Sequence, residues 1–120
     1  MSPKRGDPVP RPSRRTEYEL LFITQEAVKG WRDCVAGTRN AMADAYDRLS
    51  TQPLTETPRQ YRLRADYATG TYQGRSYDRW QYKISNGGRL WYLVDDTATN
   101  RAAGRVLIER ADPGHPKETD

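Results

Sequence analysis

The run YELLFI at 18–23 is apolar and bounded by charge, which predicts a first strand. Thr24 then offers an N-cap oxygen, and Ala27, Val28, Trp31, Cys34 and Val35 recur at helical spacing. Gly37 stops that helix. Thr38 caps a second one, in which Ala41, Met42, Ala45, Tyr46 and Leu49 form a single stripe before Pro53 ends it. Trp31, Met42 and Tyr46 lie on stripes that must be buried, so they are read as the packing face of a helical hairpin.

After the polar connection TQPLTETPRQ the period changes from 3.6 to 2. Strands are predicted at 61–67, 79–85, 89–95 and 105–110, with a Gly-, Tyr- and Ser-rich loop at 68–78. The expected fold is α+β, a two-layer domain with the helical hairpin packed on a curved antiparallel sheet in the order β-α-α-β-β-β-β. Residues 1–16 combine four prolines with five basic residues, predicting a disordered basic arm ahead of a single domain at 17–120. A chain of 120 residues has room for one modest core.

The stretch RWQYKISNGGRLWYLVDD decides which side chains share a face. A two-residue Asn-Gly loop pairs Ile84 with Arg89 and mixes charge with hydrocarbon on both faces. A three-residue loop with a left-handed glycine pairs Ile84 with Leu90, Tyr82 with Tyr92 and Trp80 with Val94. That second register sends Trp80, Tyr82, Ile84, Leu90, Tyr92 and Val94 toward the helices. Arg79, Gln81, Lys83, Arg89 and Trp91 then line the opposite, open face. Such a cationic and aromatic surface suits single-stranded nucleic acid, whose bases stack on rings and whose phosphates meet Arg and Lys. A solvated outer sheet face is the plain alternative.

Charge supports the polyanion reading. The net charge is +4 and the sequence pI about 9.4. Residues 59–110 hold ten Lys and Arg against five acids, so that half alone carries +5. The lone Cys34 cannot form an internal disulfide, and no stretch is apolar enough for a signal peptide or membrane span, so the expected compartment is the cytoplasm. One Cys and one His leave no closed zinc site of the usual kind, and no metal or cofactor is expected.

The order strand, helical hairpin, several strands resembles the RelE/ParE toxin superfamily. So does the segment YDRWQYKISNGGRLWYLVDD, in which an arginine opens a strand of aromatic and aliphatic residues, and so does the ending GRVLIERADPGHPKETD. The likeness spans Tyr18 to the C-terminus. It implies the toxin of a type II toxin–antitoxin pair, an endoribonuclease that cleaves mRNA at the ribosome and is neutralised by a cognate antitoxin, as a monomer or a toxin–antitoxin hetero-oligomer. By position it assigns Arg89 to phosphate stabilisation, Lys83 to a basic residue on the adjacent strand and His115 to the tail acid/base. Arg64 or Arg62 would match basic residues on the second strand, and together with Arg79, Trp91, Arg110 and Lys117 they are the expected RNA contacts. Tyr61 occupies the place of the carboxylate base found in some members.

Metal-free RNA cleavage, in which the 2′-hydroxyl attacks the adjacent phosphate, requires a base to take the hydroxyl proton, an acid for the leaving 5′-oxygen and cations to neutralise the developing charge. Arg89 would neutralise the developing charge, with Lys83 and Arg110 helping, and His115, with an ordinary pKa near 6.5, would protonate the leaving 5′-oxygen. Two other readings stay open: a ParE-like gyrase inhibitor that needs no His, and a non-catalytic RNA-binding or phage accessory domain. No Gly-rich phosphate loop, nucleophile elbow or metal cluster points to a small-molecule enzyme.

Overall fold

The computed structural model describes residues 3–114. Its architecture is α+β, two helices on one face of a mixed six-stranded sheet. Strand β1 (Tyr18–Phe22) leads into α1 (Gln25–Gly37) and α2 (Arg39–Thr51), followed by β2 (Gln60–Arg62), a 3-10 turn (Ala65–Tyr67), β3 (Thr69–Tyr72), β4 (Arg75–Lys83), β5 (Arg89–Asp95) and β6 (Gly104–Asp112). The strand order is β1-β6-β5-β4-β2, with β3 paired to the first half of β4.

Both helix starts fall where the sequence places them, but only one is capped by its side chain. Thr24 Oγ1 accepts from Ala27 N–H at 2.9 Å and donates to Glu109 O at 2.8 Å, so the cap also fastens α1 to β6. Thr38 instead turns its hydroxyl back onto Cys34 O, closing α1 rather than opening α2. Ala27, Cys34, Met42, Ala45 and Leu49 are buried against Trp80, Tyr82, Leu90, Tyr92, Val106 and Ile108. Each large apolar side chain fully buried there contributes roughly 1.5–3 kcal/mol. Tyr46 departs from its expected role, being 43% exposed, while Trp31 is half-buried between it and Phe22.

Three strand expectations are corrected. The sheet is not wholly antiparallel, because β1 runs parallel to β6; both helices and four strands intervene, long enough to return the chain in the same direction. The strand expected at 61–67 ends at Arg62, where the 3-10 turn takes over. The loop expected at 68–78 is a tight hairpin, β3 turning at Gln73-Gly74 into an early start of β4, with both turn residues at positive φ.

The β4–β5 register also differs. Tyr82 pairs with Leu90 and Lys83 with Arg89, leaving a five-residue loop, Ile84 to Gly88. Neither Gly87 nor Gly88 has positive φ. The longer loop is held instead by Ile84 N–H on Gly88 O, Gly88 N–H on Ser85 Oγ, and the Arg89 guanidinium on loop carbonyls. The shift is two residues, and side chains alternate with period 2, so the division of faces survives it.

A polar network closes the core near the end of α2. Gln60 is fully buried; its Nε2 donates to Gln52 O at 2.8 Å and Tyr92 Oη at 3.0 Å, and its Oε1 accepts from Arg48 Nε at 2.7 Å. Tyr92 Oη donates onward to Pro53 O at 2.9 Å, and burial pushes its phenol well above the ordinary range. The segment 3–16 is exposed and contains neither helix nor strand; Arg11 returns to Glu17 at 2.9 Å.

Candidate nucleic-acid interface

The face away from the helices is organised in cross-strand rows. Tyr61, Gln81, Trp91 and Arg110 stand in register across β2, β4, β5 and β6. Trp91 Nε1 donates to Gln81 Oε1 at 2.8 Å, and Gln81 Nε2 donates to Tyr61 Oη at 2.7 Å, so one amide fixes both aromatic rings. The next row toward the hairpin tip is Lys83, Arg89 and Asp112.

Lys83 and Arg89 therefore point outward together, with Arg59 from the loop before β2 beside them. The three surround a cleft of about 380 Å³, with Pro58, Ile84, Ser85 and Asn86 as its other walls. Both guanidiniums are held by carbonyls rather than carboxylates. Arg59 Nη1 donates to Lys83 O at 2.9 Å, and Arg89 Nη1 lies 3.0–3.3 Å from the carbonyls of Ser85, Asn86 and Gly88. Lys83 Nζ sits 5.6 Å from the Tyr61 ring centroid. Among the described residues none of the three forms a salt bridge, so the cleft keeps its positive charge and spare N–H donors, which is what a phosphate needs. Arg59 carries no strand-pattern signal and was not singled out from sequence; only the fold brings it here.

Other expected contacts are dispersed. Arg79 is 15% exposed and bound through Nε and Nη2 to Glu109 at 2.7 and 2.9 Å, so its charge is neutralised within the protein. The bulge between β5 and β6 explains this pair: Trp91 pairs with Arg110 and Tyr92 with Ile108, leaving Glu109 as the extra residue. Arg110 stays 55% exposed, its guanidinium 5.5 Å from the Trp91 centroid. Arg62 is in register with Trp80 and hence on the helix-side face, where Glu56 and Asp78 lie 3.6 and 3.9 Å from it. Arg64 lines a small cleft with those same acids. The structure thus separates Arg62 and Arg64 from Lys83 and Arg89.

His115 and Lys117 lie outside the described residues. Pro113 and Gly114 run beside the hairpin tip, and a Cβ on Gly114 would come within 2.6 Å of the Gly87 carbonyl. Cys34 is buried, and burial, with Asp112 and Asp33 adding to it, pushes its thiol up to about 11, which removes it as a nucleophile at neutral pH. Among the described residues no group of three or more His, Cys, Asp or Glu is gathered to hold a metal, and no helix is long and apolar enough to cross a membrane. No family, curated protein or solved structure matches this chain.

Proposed function

We propose that this protein is a RelE-like toxin that binds single-stranded RNA across the β4–β5 hairpin, cuts it without a metal and is silenced by an antitoxin. The observation that carries the RNA-binding part is the trio Arg59, Lys83 and Arg89, three cations around one cleft, none of which pairs with a carboxylate among the described residues. An unneutralised cationic cleft beside a row of aromatic rings favours a flexible polyanion with unpaired bases over a small metabolite. In cleavage the 2′-hydroxyl would release its proton to solvent water as its oxygen bonds to phosphorus and the bond to the 5′-oxygen breaks. The products are a 2′,3′-cyclic phosphate and a 5′-hydroxyl. Arg89 and Lys83 would stabilise the phosphorane, and His115 would deliver the proton to the leaving oxygen. The antitoxin would present an acidic segment that competes with RNA for these cations.

One observation favours a second reading, binding without chemistry: among the described residues the cleft offers cations and no carboxylate or imidazole to move a proton. Two measurements separate these readings. Lys83→Ala with Arg89→Ala in the full chain should weaken binding of unstructured RNA at least tenfold and lower the slope of log K against log salt by about 1 for each lost phosphate contact; unchanged affinity sinks the interface. Cyclic-phosphate products that vanish with a 2′-deoxy substrate and in His115→Ala support the nuclease, whereas bound but intact RNA, with ribosomes present, leaves only a binding protein.

A further inference from the structure

Trp91 is half-buried, and its only polar atom is already satisfied by Gln81, so the indole is fixed in orientation and has no remaining hydrogen-bond need. Tyr67 approaches it from the 3-10 turn, with ring centroids 5.5 Å apart and planes tilted by 57°. Tyr67 is nevertheless 57% exposed, and its hydroxyl has no hydrogen-bond partner among the described residues. The turn that carries it opens on Ala65 at φ 57°, a left-handed conformation rare for a residue with a side chain. Two guanidiniums complete the surroundings. Arg79 lies 5.1 Å from the Trp91 centroid but is tied to Glu109, while Arg110, at 5.5 Å, lies 3.6 Å from Asp112 and is 55% exposed.

Resting on the reading of this face as an RNA surface, we infer that Tyr67 and Trp91 form a stacking subsite for one unpaired nucleobase, with Arg110 as its polar edge. An exposed tyrosine tilted against a fixed indole offers two aromatic planes to a flat ligand, and Arg110 supplies donors to a base carbonyl or the adjoining phosphate. The nearby guanidiniums repel a cationic ligand such as a methylated amine, which would otherwise suit an aromatic pair. Spacing links the subsite to the cationic cleft: Trp91 is two residues along β5 from Arg89, about 6.6 Å at strand rise, close to the span of one nucleotide in an extended strand. A base already stacked in a duplex cannot enter, so the subsite would select single strands.

The test compares two ligands of equal charge, a hexauridylate and the same hexamer with its central nucleotides abasic, titrated against the full chain. The base-bearing ligand should bind about tenfold more tightly. Tyr67→Ala or Trp91→Ala should erase that difference, Tyr67→Phe should keep it, and Lys83→Ala with Arg89→Ala should weaken both ligands alike. Circular dichroism on each variant verifies folding, and exposure of Tyr67 makes Tyr67→Ala the informative one. Equal binding of both ligands by the unaltered protein, still lost in the lysine and arginine variant, overturns the subsite and leaves the RNA surface standing. A difference that persists in Tyr67→Ala removes Tyr67 from the site. Failure of both ligands to bind overturns the surface and the subsite together.

Discussion

Arg79 and Glu109 form a two-armed ion pair, at 2.7 and 2.9 Å, on the same face of the sheet as Lys83 and Arg89, which form no salt bridge among the described residues. The two side chains are 15% and 17% exposed, and the β3 hairpin closes over them: a Cβ at Gly70 would lie 2.9 Å from Glu109 Oε2 and 3.0 Å from Arg79 Nη2. The bulge that frees Glu109 from the β5–β6 ladder therefore divides the outer face. One half is an internal contact beneath β3, with Leu93 and Leu107 buried on the same side, and the other half is the cationic cleft.

Removing Glu109 should be costly in a way that removing a surface acid is not. Glu109→Ala leaves the Arg79 guanidinium mostly buried with Tyr67 O, at 3.3 Å, as its one remaining acceptor among the described residues. A cost of about 1–3 kcal/mol follows from stranding a buried charged donor. Replacing both residues by apolar ones, Arg79→Met with Glu109→Leu, should recover most of the loss. Urea unfolding of the three proteins measures it; a double variant as unstable as the single one contradicts the account.

At Gly30 the backbone of α1 passes close against β6. A Cβ there would run into the carbonyl oxygen of Ala111 on β6, so Gly30→Ala must push α1 away from the strand. Alanine gains about 1 kcal/mol of helix propensity over glycine. The displacement costs about 1–3 kcal/mol or more, because backbone rather than a flexible side chain blocks the way. The net effect should be destabilising, read as a lower thermal midpoint, and Gly37→Ala, whose Cβ would meet nothing within 4 Å, is the control expected to hold or raise it.

Much of this was legible in the sequence, and the failures have physical causes. The two helices, the β5 limits and the sorting of Trp80, Tyr82 and Leu90 from Lys83 and Arg89 follow from periodicity, which a register shift of two cannot disturb. The register itself rested on assuming a left-handed glycine. The side chain of Arg89, which directly follows the loop, satisfies the carbonyls of a longer one, a contact that turn rules based on backbone conformation do not include. The parallel pairing of β1 with β6 is a long-range choice without local signal. The cationic cleft was half visible: Lys83 and Arg89 stand out by alternation, whereas Arg59 arrives from a loop. Arg79 carries no local sign of its pairing because Glu109 is distant in sequence, and Arg62 meets Glu56 and Asp78 only through the fold of the β2 approach and the β2–β4 pairing.

The buried amide of Gln60 gives a third prediction. It joins β2 to the end of α2 and to Tyr92 through three hydrogen bonds, the one to Tyr92 buried and the other two part-buried. Gln60→Leu keeps the volume but leaves the Gln52 carbonyl without the amide and Arg48 Nε without its acceptor. The loss should be about 2–4 kcal/mol, at least as large as that of Tyr92→Phe, which removes one donor to Pro53 and should cost about 1–2 kcal/mol. Because both act on one network, the double variant should lose less than the two single losses added, which a double-mutant cycle by chemical denaturation reads directly.

Acid should destabilise the protein through carboxylates that are paired when folded. Asp95 accepts from Arg105 Nη2 at 2.7 Å and from Thr97 N–H at 3.2 Å, and chiefly the Arg105 hydrogen bond holds its carboxyl below the usual Asp value despite burial. Glu17, bonded by the Arg11 side chain and the Arg14 N–H, and Glu56, bonded by the Arg62 N–H, are lowered in the same sense. The sign follows from proton linkage. Below its ordinary pKa, about 4 for Asp, the unfolded chain binds protons that the folded chain refuses, so unfolding becomes favoured as pH drops. The stabilisation is complete above that value and is lost as pH falls through the lower folded-state pKa. Denaturant midpoints taken from pH 6 down to about 2 should therefore decline for the native sequence. Asp95→Asn should start lower at pH 6 and decline less steeply, because its amide keeps part of the hydrogen bonding and cannot titrate. Parallel curves for the two proteins would show that Asp95 is not among the groups that set the acid limit.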